Sequence, residues 1–435
     1  MGSRLKGATR DTFRSLGVRN FRLFFTGQLI SQVGNWLTMI TQTLLVLHLT
    51  DSGIAIGVLA ACQFAPVLVF GAWTGLVADR SDKRRLLLIV QTFAMAQSFV
   101  LAALAFTHNP PVLAIYAVAL AGGFATAFDN PARRAFVVEM VPEADMQNAV
   151  SLNSALMTSA RVVGPALAGL LVHTVGYGWA FAVDGVSYIA VLIGLVMMDV
   201  TKLHRSPVAT KAKGQVRAGL RYVRTVPDLW VPLAMMAIVG TLAFNFSVVM
   251  PLFVERTFSG DDGTFTLLFS VISVGSLVGA LATARRKVIE IHHLVVSSLG
   301  FGVAMLALAA APSLGWAFPI SMFVGCTSIG FLTASTAIVQ VRAAPEMRGR
   351  VLALQAMVFL GSTPIGGPLL GAVCETWGAR AGLVLGAVAC LAAAALGSLA
   401  ARRLASAPPR SAPTVVDVTT LQPVCAGVSR CKHPR

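Results

Sequence analysis

The stretch Gly75-Leu76-Val77-Ala78-Asp79-Arg80-Ser81-Asp82-Lys83-Arg84-Arg85 interrupts a chain that is apolar for long distances on both sides. The apolar run Ile54–Val77 precedes it and the run Leu86–Phe106 follows. Each has the roughly 20 residues an α-helix needs to cross hydrocarbon. A short turn with two acids and four bases joins them. The pattern is that of a hairpin of membrane helices, and the four cations place the turn on the cytoplasmic side.

Outward from this turn the same pattern recurs and gives twelve spans. Their cores are Leu23–Leu49, Ile54–Val77, Leu86–Phe106, Val112–Phe128, Val150–Val172, Trp179–Met198, Leu229–Phe253, Phe265–Ala284, Leu294–Ala311, Trp316–Val339, Val351–Val373 and Gly382–Leu399. The 435 residues are 56% hydrophobic and 12% charged, about half the charge of a soluble domain. Of the 34 Lys and Arg, 31 fall in alternate loops and the two ends. That bias puts both termini in the cytoplasm of a multi-pass protein of the cell inner membrane. It also accounts for the net charge of +16 as a topology signal. No aromatic-basic interleaving points to a nucleic-acid partner. The first twenty residues are polar and basic and carry no signal peptide.

Catalytic signatures are absent. There is no Gly-Lys dipeptide for a phosphate loop, no Gly-x-Ser-x-Gly and no His-Glu-x-x-His. The six cysteines are scattered, with no spacing for a metal site. The expectation is a non-enzyme without cofactor or metal.

Internal repetition divides the chain in two. Pro142-Glu143 and Pro345-Glu346 lie 203 positions apart, as do Gly164-Pro165 and Gly367-Pro368; Gly71 and Gly75 recur as Gly275 and Gly279. Two pseudo-symmetric six-helix bundles, 21–199 and 228–404, follow. A segment 1–20 precedes them, a basic linker 200–227 with a short amphipathic helix joins them, and a Pro- and Ser-rich tail 405–435 is expected to be disordered.

Polar residues inside the spans are the site candidates, because polar groups in hydrocarbon are costly and usually functional. Span one carries Gln28, Gln32 and Asn35 at helical spacing, with Trp36 and Met39 as an apolar wall. Asn245 and Phe246 are the candidates in span seven. Arg161 in span five is a cavity or gating residue. Asp184 in span six is either a proton carrier or a capped structural acid. At ~1.5 Å rise per residue the two charges differ in height by roughly 9 Å and are not expected to pair. Gly164, Pro165 and Gly169, and in the second half Gly367 and Pro368, allow close approach and a bend.

The opening turn, with Gly75, Asp79, Arg80, Lys83, Arg84 and Arg85 in order, resembles the loop between the second and third helices of major facilitator superfamily transporters. Asn20-Phe21-Arg22-Leu23-Phe24, Gly34-Asn35-Trp36, Phe128-Asp129-Asn130-Pro131-Ala132-Arg133-Arg134, Ser159-Ala160-Arg161-Val162-Val163-Gly164-Pro165 and Gly219-Leu220-Arg221-Tyr222-Val223 resemble the enterobactin-exporter and macrolide-efflux branch. The resemblance implies a monomeric, proton-driven exporter of a small drug- or siderophore-like molecule that works by alternating access. It also implies a cytoplasmic latch in which Asp79, with Gly75 and Arg80, meets Arg348 and Arg350 at the start of span eleven. Where the branch often has Gly-Asp-Trp in span one, this chain has Asn35. An importer or facilitator on the same fold, and a non-transporting membrane sensor or scaffold, are the alternatives.

Overall fold

The computed structural model describes residues 13–107, 109–204, 215–285 and 289–406. All but the first two residues of the expected disordered tail, Cys425 and Cys431 included, lie outside the described residues, as do most of segment 1–20 and part of the linker.

The first bundle comprises α1 (Arg19–Thr50), α2 (Gly53–Arg80), α3 (Lys83–Ala105), α4 (Val112–Glu139), α5 (Met146–Val175) and α6 (Tyr177–Val196). The amphipathic α7 (Gln215–Thr225) follows. In the second bundle α8 (Pro227–Leu242) and α9 (Phe246–Phe258) share the seventh span, and α10 (Asp262–Ala284), α11 (Ile291–Ala309) and α12 (Leu314–Arg342) are single spans. α13 (Pro345–Gly361) and α14 (Thr363–Trp377) share the eleventh span and α15 (Ala379–Ser406) forms the twelfth. Helices dominate because hydrocarbon offers backbone groups no partner but the chain itself. Among the described residues 11 helical segments are long and apolar enough to cross a membrane. The remaining span is α1, whose polar residues lower its hydropathy and which packs inside the bundle against α5 and α6.

The turn that opened the sequence is tight: α2 ends at Arg80 and α3 begins at Lys83. Asp82 caps α3, accepting from the Arg85 N–H at 3.0 Å. Lys83 departs from a purely topological role. It is buried and pairs with buried Glu139 at 2.8 Å, tying the start of α3 to the end of α4. α4 itself runs past the expected end of span four at Phe128 as far as Glu139, through Pro131. The charges Asp129 and Arg133 stay within the helix because they pair with each other one turn apart. α5 is likewise continuous through Pro165. The breaks fall elsewhere, around Asn245 in the seventh span and at Ser362 in the eleventh. Asn245 serves its own break, since its Nδ2 donates to the Thr241 carbonyl at 2.8 Å.

Between helices in a bilayer the hydrophobic effect contributes little, and close backbone approach takes over. Gly275 and Gly279 of α10 face the backbone of Met322 and Cys326 on α12, and Gly325 returns the contact at Ile272. Across the bundles, Gly53 and Gly57 of α2 lie against Gly371 and Gly367 of α14, and Gly169 of α5 against Thr266 of α10. Polar contacts reinforce this junction at the end away from the termini. Tyr177 donates to Asp262 at 2.8 Å. The Arg256 guanidinium donates to the Asp51 carbonyl at 2.5 Å, and the Gly53 N–H to Glu375 at 2.5 Å.

Gly75, by contrast, has open space around it. Gly279→Leu is expected to lower stability in detergent by about 1–3 kcal/mol through overpacking, while Gly75→Ala leaves it unreduced. Thermal unfolding of the two purified variants checks this.

Candidate functional site: a cavity between the bundles

A cavity of about 470 Å³ lies at mid-depth, walled by both bundles. From the first bundle it is bordered by Gln32, Asn35, Trp36, Met39 and Gln42 of α1, Gln63 of α2, Gln91 and Gln97 of α3, Asp129 and Arg133 of α4, and Arg161 of α5. From the second it is bordered by Phe244, Asn245, Phe246, Phe269 and Phe359. The two walls differ in chemistry. Amides and charges are concentrated on the first, aromatic rings on the second. Phe244 makes edge contacts with Phe359 and Phe301 at centroid distances of 5.1 and 5.5 Å. Trp36 reaches across to Phe269 at 6.5 Å.

The stripe on α1 faces this space because residues three and four apart share one side of a helix. Gln28 continues it as a fully buried residue one turn earlier, accepting from Gln32 Nε2 at 3.2 Å. Gln42 accepts from Gln63 at 2.7 Å. Gly164 matters to this wall: it lies directly against Trp36 and the Val33 carbonyl, so that α5 and α1 meet closely.

Arg161 lies beside Trp36, its guanidinium carbon 5.4 Å from the ring centroid. That distance permits a cation–π attraction, which is appreciable where water is scarce. No described carboxylate pairs with Arg161, and its Nε is buried without a hydrogen-bond partner. Arg161 and Asp184 do not meet. Asp184 is fully buried behind the cavity wall and accepts from Thr38 Oγ1 at 2.6 Å, Ser98 Oγ at 2.7 Å and Ser187 Oγ at 3.3 Å. Gly34 of α1 leaves room for this carboxylate. Thr38 and Ser98 themselves border the cavity, so one hydroxyl separates Asp184 from it.

The pair Asp129–Arg133 is the feature that sequence reading placed in a loop. Asp129 accepts from Arg133 and, at 2.7 Å, from Gln91. The other guanidinium nitrogen of Arg133 approaches Gln28 Oε1 and Met157 Sδ, each at 3.4 Å. The signal available was the Asp-x-x-x-Arg spacing, which brings the two side chains together on a helix.

No described hydrogen bond or ion pair joins the expected latch residues. Asp79, Arg80 and Arg348 are exposed, Asp79 has no described partner, and Arg350 is half-buried with Nη1 3.3 Å from Met347 Sδ. Of the glycine-proline residues, Gly169 and Gly367 lie at the junction of the bundles, and Pro368 sits inside α14 without breaking it.

The chain matches the family model described as transmembrane secretion effector over residues 11–412. It belongs to the transmembrane secretion effector family of the major facilitator superfamily. This major facilitator protein is 23% identical to the staphyloferrin A transporter of Staphylococcus aureus over 82% of the chain and 90% of the relative. It is 23% identical to macrolide efflux protein A of Streptococcus pyogenes over 80% and 87%, and 26% identical to the multidrug efflux pump Tap of Mycolicibacterium fortuitum over 82% and 90%. The fold resembles the nucleoside transporter NupG, with a TM-score of 0.71 at 15% identity over 88% of the chain and 99% of that structure. It also resembles a bacterial homologue of the human lysosomal transporter Spinster, with a TM-score of 0.70 at 15% identity over 88% and 96%. The chain is thus a multi-pass membrane transporter of the superfamily and not an enzyme.

Removing the hydroxyls that hold Asp184 tests its cage. Thr38→Val and Ser98→Ala should each cost about 1–3 kcal/mol, the range for leaving a buried acceptor without its donor. If the purified variants unfold at the wild-type temperature, Asp184 does not depend on the cage.

Proposed function

We propose that this major facilitator protein exports a small amphipathic molecule from the cytoplasm by alternating access, with proton antiport as the drive. The observation that carries the reading is the two-sided cavity: amides and Arg161, which has no described carboxylate partner, on one wall, aromatic rings on the other. Such a space suits a molecule with an apolar body and a polar or anionic head. The efflux relatives, named for a siderophore, a macrolide and multiple drugs, support export over import. The units 21–199 and 228–404 rock about the cavity, and the cell inner membrane holds both termini on the cytoplasmic side. Asp184, one hydroxyl from the cavity, is the proton carrier in this reading. The protein acts as a monomer.

Contacts between the bundles at the end away from the termini, and the exposure of Asp79 and Arg348 at the other, fit a state open to the cytoplasm. In the opposite state Asp79 engages the start of α13, where the helix N-terminus and Arg348 and Arg350 supply positive charge.

Inside-out vesicles with an imposed pH gradient, acid inside, provide the test. Gradient-driven uptake of an amphipathic dye supports export, and gradient-independent equilibration overturns antiport in favour of a facilitator. Asp79→Asn is expected to slow turnover several-fold with substrate binding unchanged, and wild-type turnover removes the latch. Asp184→Asn should abolish gradient-driven uptake yet leave equilibrium exchange, as measured by counterflow.

A further inference from the structure

The cavity holds three charged side chains among its described lining residues, Asp129, Arg133 and Arg161. Two guanidiniums against one carboxylate leave it positive. The arrangement is more specific than that balance. Arg133 Nη1 approaches Met157 Sδ at 3.4 Å, and Met157 precedes Arg161 by four residues of α5, about 6 Å of rise. The two guanidiniums therefore border one region of the cavity, reached from α4 and from α5. Arg161 has no carboxylate and a buried, unpaired Nε. Arg133 is held by Asp129, which is itself steadied by Gln91 at 2.7 Å. Gln91 Oε1 is buried without a partner.

We propose that Arg161 and Arg133 form a two-point subsite for the anionic head of the substrate, an aromatic carboxylate in class, and that Asp129 is its built-in competitor at the second point. The proposal rests on the export reading only in taking this cavity as the substrate site. In the empty protein a carboxylate of the chain occupies Arg133 as a carboxylate of the substrate would. This removes the cost of an unpaired buried cation. An incoming carboxylate first meets the free Arg161, then displaces Asp129 from Arg133, while its ring lies toward Phe246 and Phe359. The guanidinium fork suits such an exchange because it donates to two carboxylate oxygens side by side. Asp129 thus weakens binding and eases release, which is what a carrier needs at the end of each crossing.

The test uses 2-naphthoate, with 2-naphthamide as its uncharged counterpart, binding to the purified full-length protein in detergent at neutral pH. Asp129→Asn should tighten naphthoate binding about tenfold, from the freed charge-assisted hydrogen bonds, and leave the amide unchanged. In proteoliposomes the same variant should lower both KM and kcat for naphthoate. Adding Arg133→Gln to Asp129→Asn should cancel the gain, and Arg161→Gln alone should weaken naphthoate at least tenfold. A gain in affinity cannot arise from misfolding, so a damaged variant does not mimic the result. Weaker or unaltered naphthoate binding in Asp129→Asn makes the pair a structural staple of α4 and overturns the subsite, as does absence of naphthoate binding in every form. Either result leaves the export reading standing if the vesicles still accumulate a neutral or cationic dye.

Discussion

A polar group left unpaired in hydrocarbon is expensive, and the interior of this protein follows from that cost. The charges inside the first bundle are met in two ways. Arg133 takes a carboxylate one turn away, and Asp184 takes three hydroxyls from three helices. In the second bundle the interrupted span satisfies itself, with Asn245 covering the Thr241 carbonyl freed by the break. Several of the polar atoms that remain unmatched, those of Gln42, Gln91, Arg161 and Asn245, belong to residues that border one cavity. Half of the described unmatched atoms thus lie beside a space with room for another molecule.

The frame that holds this chemistry is nearly symmetric, while the chemistry is not. Pro142 and Pro345 open the regions where α5 and α13 begin. Gly169 and Gly371 seat α5 and α14 against the opposite bundle. Yet the charged residues of the cavity come from the first bundle and most of its aromatic rings from the second. Duplication accounts for the shape, and divergence of the two walls for the amphipathic character.

Most of the architecture was legible because the bilayer constrains it so heavily. Span length, alternating loop charge and the polar stripe from Gln28 to Gln42 are each imposed by hydrocarbon, and each can be read without coordinates. Asp129 and Arg133 were not legible as cavity residues. Two charges and a proline at the end of an apolar run look like a loop, and only their neutralisation of each other lets α4 continue to Glu139. Lys83 was obscured in the same way, since its partner Glu139 lies 56 residues on. The break at Ser362 is marked by Pro364 in the first turn of α14, but the one at Asn245 carries only a weak local signal, and the equally conspicuous Pro165 and Pro368 lie within unbroken helices. For the Asp79 latch the described contacts supply no partner, since Asp79 at the end of α2 and Arg348 on α13 are both exposed.

The junction away from the termini is built largely from main chain on main chain, Gly53 on Gly371 and Gly57 on Gly367. A seal made of side chains can be breached whenever a rotamer flips, on a picosecond to nanosecond scale. Here the closest approach is of backbone to backbone. Passage past these glycines requires two helices to move apart as bodies, which belongs to the microsecond to millisecond range.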